Sequence, residues 1–81
     1  MVAKLLGYRK GISKKTGKEY YSMNIVSPVS PFDTQGGYVG QEKAETVFIS
    51  ADMYNYLKPS DCGKDIEVQY GRFGIDNIEI L

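Results

Sequence analysis

Residues 8–26 read YRKGISKKTGKEYYSMNIV and hold five of the ten lysines and arginines together with two adjacent tyrosines. Two runs of strand-forming residues, 2–12 and 19–26, flank the polar segment 13–18. A short polar connection with a glycine between two such runs predicts a β-hairpin, and Gly17 is the natural residue of positive φ in its turn. Because segment 13–18 has no apolar residue to bury, we expect the tip to project into water. We call residues 8–26 the basic finger.

The charge of the chain is divided between its two ends. Residues 1–20 contain six cations and one acid, whereas residues 21–81 contain four cations and nine acids. The net charge of zero therefore conceals a dipolar molecule, and such asymmetry suggests that the N-terminal part meets a polyanion. The alternative is that the lysines only solvate the tip of a hairpin.

The length of 81 residues predicts one small domain that spans the whole chain, 1–81. A chain of this size buries only roughly 60–65% of its unfolded surface, so a homodimer is an expected source of extra stability. No apolar run has the length of a membrane span, and the N-terminus lacks the apolar core of a secretion signal. We therefore expect a cytoplasmic protein with no membrane partner.

The residue types offer little for catalysis or for a bound metal. The chain has no histidine, and its single cysteine, Cys62, has neither a second thiol for a disulfide nor a histidine base to activate it. The sequence also has no cluster with zinc-ligand spacing and no Gly-rich phosphate loop. We predict a protein that is not an enzyme, with no catalytic residue, no cofactor and no metal.

Three further strands are predicted after the finger. Residues 44–50 are rich in β-forming types, and residues 65–70 and 75–81 carry alternating apolar side chains. A short helical turn with an apolar stripe, capped by Ser50 or Asp52, is predicted between the first two of these strands. In the first strand of the chain, Gly7 interrupts the side-chain pattern and predicts a bulge or a sharp bend.

Two connections between these strands are expected to matter for function. Residues 27–41 contain two prolines and three glycines without sustained alternation, which predicts a long mobile loop whose Phe32 and Tyr38 pack on the core rather than contact a ligand. The C-terminal hairpin, residues 65–81, turns through a tight connection with Arg72 and Phe73 at its tip. An aromatic side chain there has little to bury against, so a partner chain or a ligand is expected to contact it.

Five short strands with a helical turn between the third and the fourth predict an all-β fold. This order is that of an OB-fold-like Greek-key barrel, a small architecture that commonly binds single-stranded nucleic acid or oligosaccharide. An SH3-like barrel is the structural alternative, and the fold alone does not decide the function.

The finger segment GISKKTGKEYYSMN, with Arg9 ahead of it, resembles the DNA-binding hairpin of the filamentous-phage single-stranded DNA-binding proteins. Those proteins have an arginine, a Gly-hydrophobic-Ser segment, a basic turn that ends in Gly-Lys, and then Tyr-Ser-Leu-Asn. Residues 66–81, with Phe73 beside a glycine, are similar to the dimer-forming loop and final strand of that family. This chain has one more residue in the basic turn and a second tyrosine.

The resemblance implies an OB-like homodimer that coats single-stranded DNA, with RNA as the alternative ligand, during replication of a phage, a plasmid or a mobile element. If a phage encodes the chain, its compartment is the cytoplasm of the bacterial host. The resemblance assigns phosphate contacts to Arg9, to Lys14 or Lys15, and to Lys18. It assigns base stacking to Tyr21, and it implies that Phe73 reaches over from the dimer partner. The full set of expected nucleic-acid contacts is Arg9, Lys10, Lys14, Lys15, Lys18, Tyr20, Tyr21, Arg72 and Phe73.

Two questions stay open from the sequence. Alternation along residues 19–26 turns Tyr20 outward and Tyr21 toward the core, whereas the resemblance selects Tyr21 for stacking, so both tyrosines are candidates. Twist of the hairpin or a bulge near Glu19 would reverse this facing. The second question is the function itself, because a small β-barrel protein-interaction module with a solvated basic hairpin is the alternative to a DNA-binding protein.

Overall fold

The computed structural model describes residues 1–72 and 74–81, and in this part the chain forms one five-stranded antiparallel sheet with two short helices. The strands are β1 (Val2–Ile12), β2 (Glu19–Pro28), β3 (Glu42–Ile49), β4 (Asp65–Gly71) and β5 (Gly74–Ile80). The helices are α1 (Pro31–Gln35) and α2 (Ala51–Tyr56), and a 3-10 turn covers Pro59–Asp61. The predicted all-β fold with a short helix between the third and fourth strands is confirmed.

The strands lie in the order β3-β2-β1-β4-β5, so that β1 is central and pairs with both β2 and β4. β3 and β5 are the two edges of the sheet. No ladder joins these edges among the residues that the structure describes, and the sheet is therefore open. Val47, Tyr70 and Ile75 line a crevice between the β3 edge and the β4–β5 hairpin.

A bulge in β1 sets the orientation of the finger. The register of β1 against β2 shifts between Leu5 and Gly7, so Leu6 is the extra residue. Before the bulge, Ala3 and Leu5 point into the core; beyond it, Tyr8 pairs with Met23 on the core side. The irregularity predicted at Gly7 is confirmed, and beyond it the register runs without a shift to the end of the finger.

The core lies on one face of the curved sheet, which we call the inner face, and α2 covers part of it. Ser50 caps α2 by accepting a hydrogen bond from the Met53 amide at 3.2 Å, which decides between the two predicted caps. Leu57 follows the helix and is buried in the core. The buried apolar side chains in the described residues are Ala3, Leu5, Met23, Ile25, Ile49, Leu57, Ile66, Val68 and Ile78.

The segment 27–41 is more structured than its sequence predicts. β2 extends to Pro28, and Ser30 then starts α1 with a capping box in which its hydroxyl accepts from the Asp33 amide. The Lys43 ammonium donates to the Asp33 carboxylate at 2.8 Å and ties the helix to β3. The expectation of a loop without regular structure is wrong for residues 31–35, whereas the mobility of the segment stays a prediction.

The expectation that aromatic residues of this segment pack on the core is also wrong. The Phe32 side chain is 82% exposed and Tyr38 is 41% exposed. The capping box and the ion pair hold α1 by its polar side chains, so no apolar anchor is needed and its ring stays in water. Among the described helices, none has the length and the apolar character that crossing a membrane requires.

Candidate nucleic-acid interface

The tip of the finger is a hydrogen-bonded turn that displays lysines. The Gly17 amide donates to the Ser13 carbonyl at 2.8 Å, and the Ser13 amide donates to the Lys18 carbonyl at 2.9 Å. Gly17 has φ of +70°, which confirms the predicted left-handed position. Lys14, Lys15 and Lys18 are exposed, and none of them joins a salt bridge in the described part of the chain. Their charges are available to an external anion.

Tyr20 lies on the outer face of the sheet, opposite to the core. It pairs across the hairpin with Gly11, and its ring covers that glycine so closely that a Cβ built on Gly11 would lie 2.3 Å from the Tyr20 Cζ atom. The ring therefore occupies the space above β1 that a side chain at position 11 would otherwise take.

Arg9 shares this outer face with Tyr20. It pairs with Ser22, one position along the same face from the Gly11–Tyr20 pair, and together they border a groove of about 590 Å³. The far side of the groove is formed by β3, where Phe48 is 72% exposed. The Tyr20 and Phe48 rings meet edge to face, with centroids 6.1 Å apart and planes at 81°. We call this space the outer groove; its lining residues are Arg9, Ser13, Tyr20, Ser22, Asn24, Thr46 and Phe48.

Tyr21 points to the inner face, where it contacts other side chains of the protein. Its ring packs against Tyr54 of α2 at a centroid distance of 5.0 Å, and its hydroxyl donates to the Glu19 carboxylate at 2.9 Å. The Lys10 ammonium also binds Glu19, at 3.2 Å. The hydrogen bond from Tyr21, followed by the contact with Lys10, lowers the pKa of Glu19. The facing that alternation predicts for the two tyrosines is therefore the one observed, and no shift of register occurs near Glu19.

The predicted site residues therefore separate into groups. Arg9 and Tyr20 meet in the outer groove, the three lysines lie at the tip, and Lys10 and Tyr21 lie on the inner face. Arg72 is exposed in the turn between β4 and β5, and Phe73 lies outside the described residues. Phe48 lines the crevice beside this hairpin as well as the outer groove, so the two regions are neighbours.

Sequence reasoning missed the residues that β3 contributes to the groove. Alternation was the available signal: Val47 and Ile49 face inward, which places Phe48 and Thr46 on the polar side. A phenylalanine on that side of a strand is unusual, but only the pairing of β3 with β2 shows that Phe48 lies beside Tyr20.

The described residues contain no group of three histidine, cysteine or acidic side chains that could hold a metal ion. In comparisons with known proteins, no family model, curated protein or solved structure matches the chain.

Proposed function

We propose that the protein binds single-stranded DNA without sequence preference, through the basic finger and the outer groove. The observation that carries the proposal is the juxtaposition of Arg9 and Tyr20 in one exposed groove, at the root of a finger whose three tip lysines join no salt bridge in the described structure. Binding of single strands needs cations along a path for the backbone and aromatic faces on which any base can stack. Both elements are present here within one hairpin and the strand beside it.

The strand order supports an OB-like fold for this function. An OB barrel opened between its third and fifth strands has the order β3-β2-β1-β4-β5, with a helix between the third and fourth strands, as in this chain. In OB folds the loops between strands 1 and 2 and between strands 4 and 5 contribute to oligonucleotide binding. The equivalent connections here carry the finger lysines and the pair Arg72 and Phe73.

The biological setting belongs to the same proposal. The likeness of residues 8–26 to the hairpin of the filamentous-phage single-stranded DNA-binding proteins supports a role in coating single strands during replication of a phage, plasmid or mobile element. The similarity of residues 66–81 to the dimer-forming loop and final strand of that family supports a homodimer, in which Phe73 of one protomer contacts the binding face of the other.

A fluorescence titration tests the function directly. The chain has seven tyrosines and no tryptophan, so stacking of bases on Tyr20 is expected to quench the intrinsic emission. Oligomers of dT and of mixed sequence should quench alike and bind with similar affinity, RNA of the same length serves as the comparison, and a blunt DNA duplex is the control. Absence of binding to every oligomer would refute the proposal and would favour the protein-interaction module.

A further inference from the structure

Phe48 is an exposed aromatic ring on the outer face of β3, among small and polar side chains. Its neighbours on the outer face are Ser22, directly opposite on β2, and Thr46 on its own strand. A single exposed apolar side chain needs no explanation. Phe48 is different because Tyr20, from another strand, stands against it at 81° and the two rings form a corner.

Polar side chains line the outer groove next to the two rings. Ser22, which lines the groove opposite Phe48, is buried, and the Thr46 hydroxyl donates to the Asn24 side-chain oxygen at 2.8 Å. Arg9 borders the same space from β1. Aromatic walls, a few fixed polar groups and one cation are the lining of a small-molecule site rather than of a flat surface.

We propose that Tyr20 and Phe48 form a subsite for one unstacked nucleobase, with Arg9 placed for the phosphate of the same or the adjoining nucleotide. This inference rests on the proposed function and extends it from the finger onto β3. The ligand class is a nucleotide of a single strand, because a base within a duplex is covered on both faces by its neighbours and has no face to offer to a protein ring. Any base satisfies the subsite, since every base has a π-face.

A pair of phenylalanine substitutions tests the subsite. Phe48→Ala should weaken binding of a short dT oligomer about 5- to 150-fold, which is the loss expected for one stacked base. Phe32→Ala is the matched control, because Phe32 is the same residue type, is also exposed and lies on α1, outside the outer groove. It should change the affinity less than about twofold. Phe48→Tyr keeps the ring and should restore binding.

The same measurements separate failure of the subsite from failure of the function. If the wild type binds and Tyr20→Ala weakens it while Phe48→Ala behaves as Phe32→Ala does, the subsite is refuted and the finger alone binds DNA. If the wild type binds no oligomer, the proposed function fails and this inference fails with it.

If both single variants weaken binding, the double variant Tyr20→Ala/Phe48→Ala should lose less binding free energy than the sum of the two single losses, since both rings hold one base. Fully additive losses would also refute a shared subsite. Should Phe48→Ala not fold, Phe48→Leu provides the same comparison.

Discussion

Tyr20 and Tyr21 are adjacent in sequence but lie on opposite faces of β2, so their loss should have different effects. Tyr20→Ala removes a ring from the outer groove and is expected to weaken DNA binding by about 1–3 kcal/mol. Its effect on the free energy of unfolding should stay below about 1 kcal/mol. Tyr21→Ala removes the contact with Tyr54 and is expected to destabilise the fold by about 2 kcal/mol. Oligomer titrations and urea unfolding of both variants measure the four quantities. A Tyr21 variant of normal stability that no longer binds would reverse our assignment.

Gly11 provides a test of the position of the Tyr20 ring that does not replace the tyrosine itself. A methyl group at position 11 would overlap the end of the Tyr20 side chain, and this side-chain end, rather than any backbone atom, is what would have to move. Gly11→Ala should therefore keep the fold and weaken oligomer binding by displacing the ring. Gly7→Ala is the matched control on the same face of β1, because a Cβ there meets nothing within 4 Å and φ is not in the left-handed region. Equal affinities of the two variants would show that the contact of the Tyr20 ring with Gly11 does not affect DNA binding.

The finger as an element makes a quantitative prediction about ionic strength. If Arg9, Lys14, Lys15 and Lys18 each neutralise one phosphate of a single strand, about three counterions are released, and the logarithm of affinity should fall with the logarithm of salt concentration at a slope of about −3. Lys15→Ala should make this slope shallower by about 0.7. Lys58→Ala, which removes an exposed lysine outside the finger, should leave the slope unchanged. A slope that no finger variant alters would favour the solvated hairpin.

The contact between α1 and β3 predicts a pH dependence of stability. The hydrogen bond from Lys43, followed by those from the Ser30 amide and hydroxyl, lowers the pKa of Asp33 from 3.8 to about 2. Since the pKa is lower in the folded state, the unfolded state takes up the proton first as the pH falls. The stabilisation is complete above about pH 4 and is lost between there and about pH 2. Thermal unfolding across this range should show a smaller loss for Asp33→Asn than for the wild type. An identical loss in both proteins would contradict the role of this carboxylate.

At the scale of elements, sequence periodicity predicts the parts whose side chains alternate between core and water. The five strands, the positive φ of Gly17 and the cap of α2 all follow from local patterns that the core reinforces. α1 does not follow from such a pattern, because its capping box and its ion pair with Lys43 involve polar residues that a loop would also contain. The contribution of Phe48 to the groove depends on which strand lies beside β2, and alternation within one strand carries no information about that.

The core of the whole molecule is small, and this bears on whether the protein associates with a second copy. Nine buried apolar side chains form the core in the described residues. A chain of this size buries a smaller fraction of its unfolded surface than a larger domain does, so one core gives it little stability. We therefore expect a homodimer, with twice the monomer mass in light scattering at roughly micromolar concentrations and a melting temperature that rises with concentration. Phe73→Ala should weaken either association or DNA binding. A monomeric mass with a concentration-independent melting temperature would contradict the dimer.

Because Leu6 is the extra residue of the bulge, β1 can lose it without a change in the residues that face the outer groove. Removing Leu6 would close the bulge, so that the pairs Leu5–Ile25 and Gly7–Asn24 would follow each other directly. Regular alternation would then keep Tyr8 pointing inward and Arg9 pointing outward. Substitutions at Leu6, whose side chain is 49% exposed, leave the alternation as it is. During divergence, position 6 can therefore accept many residue types, and even a single-codon deletion there would leave the arginine in the groove.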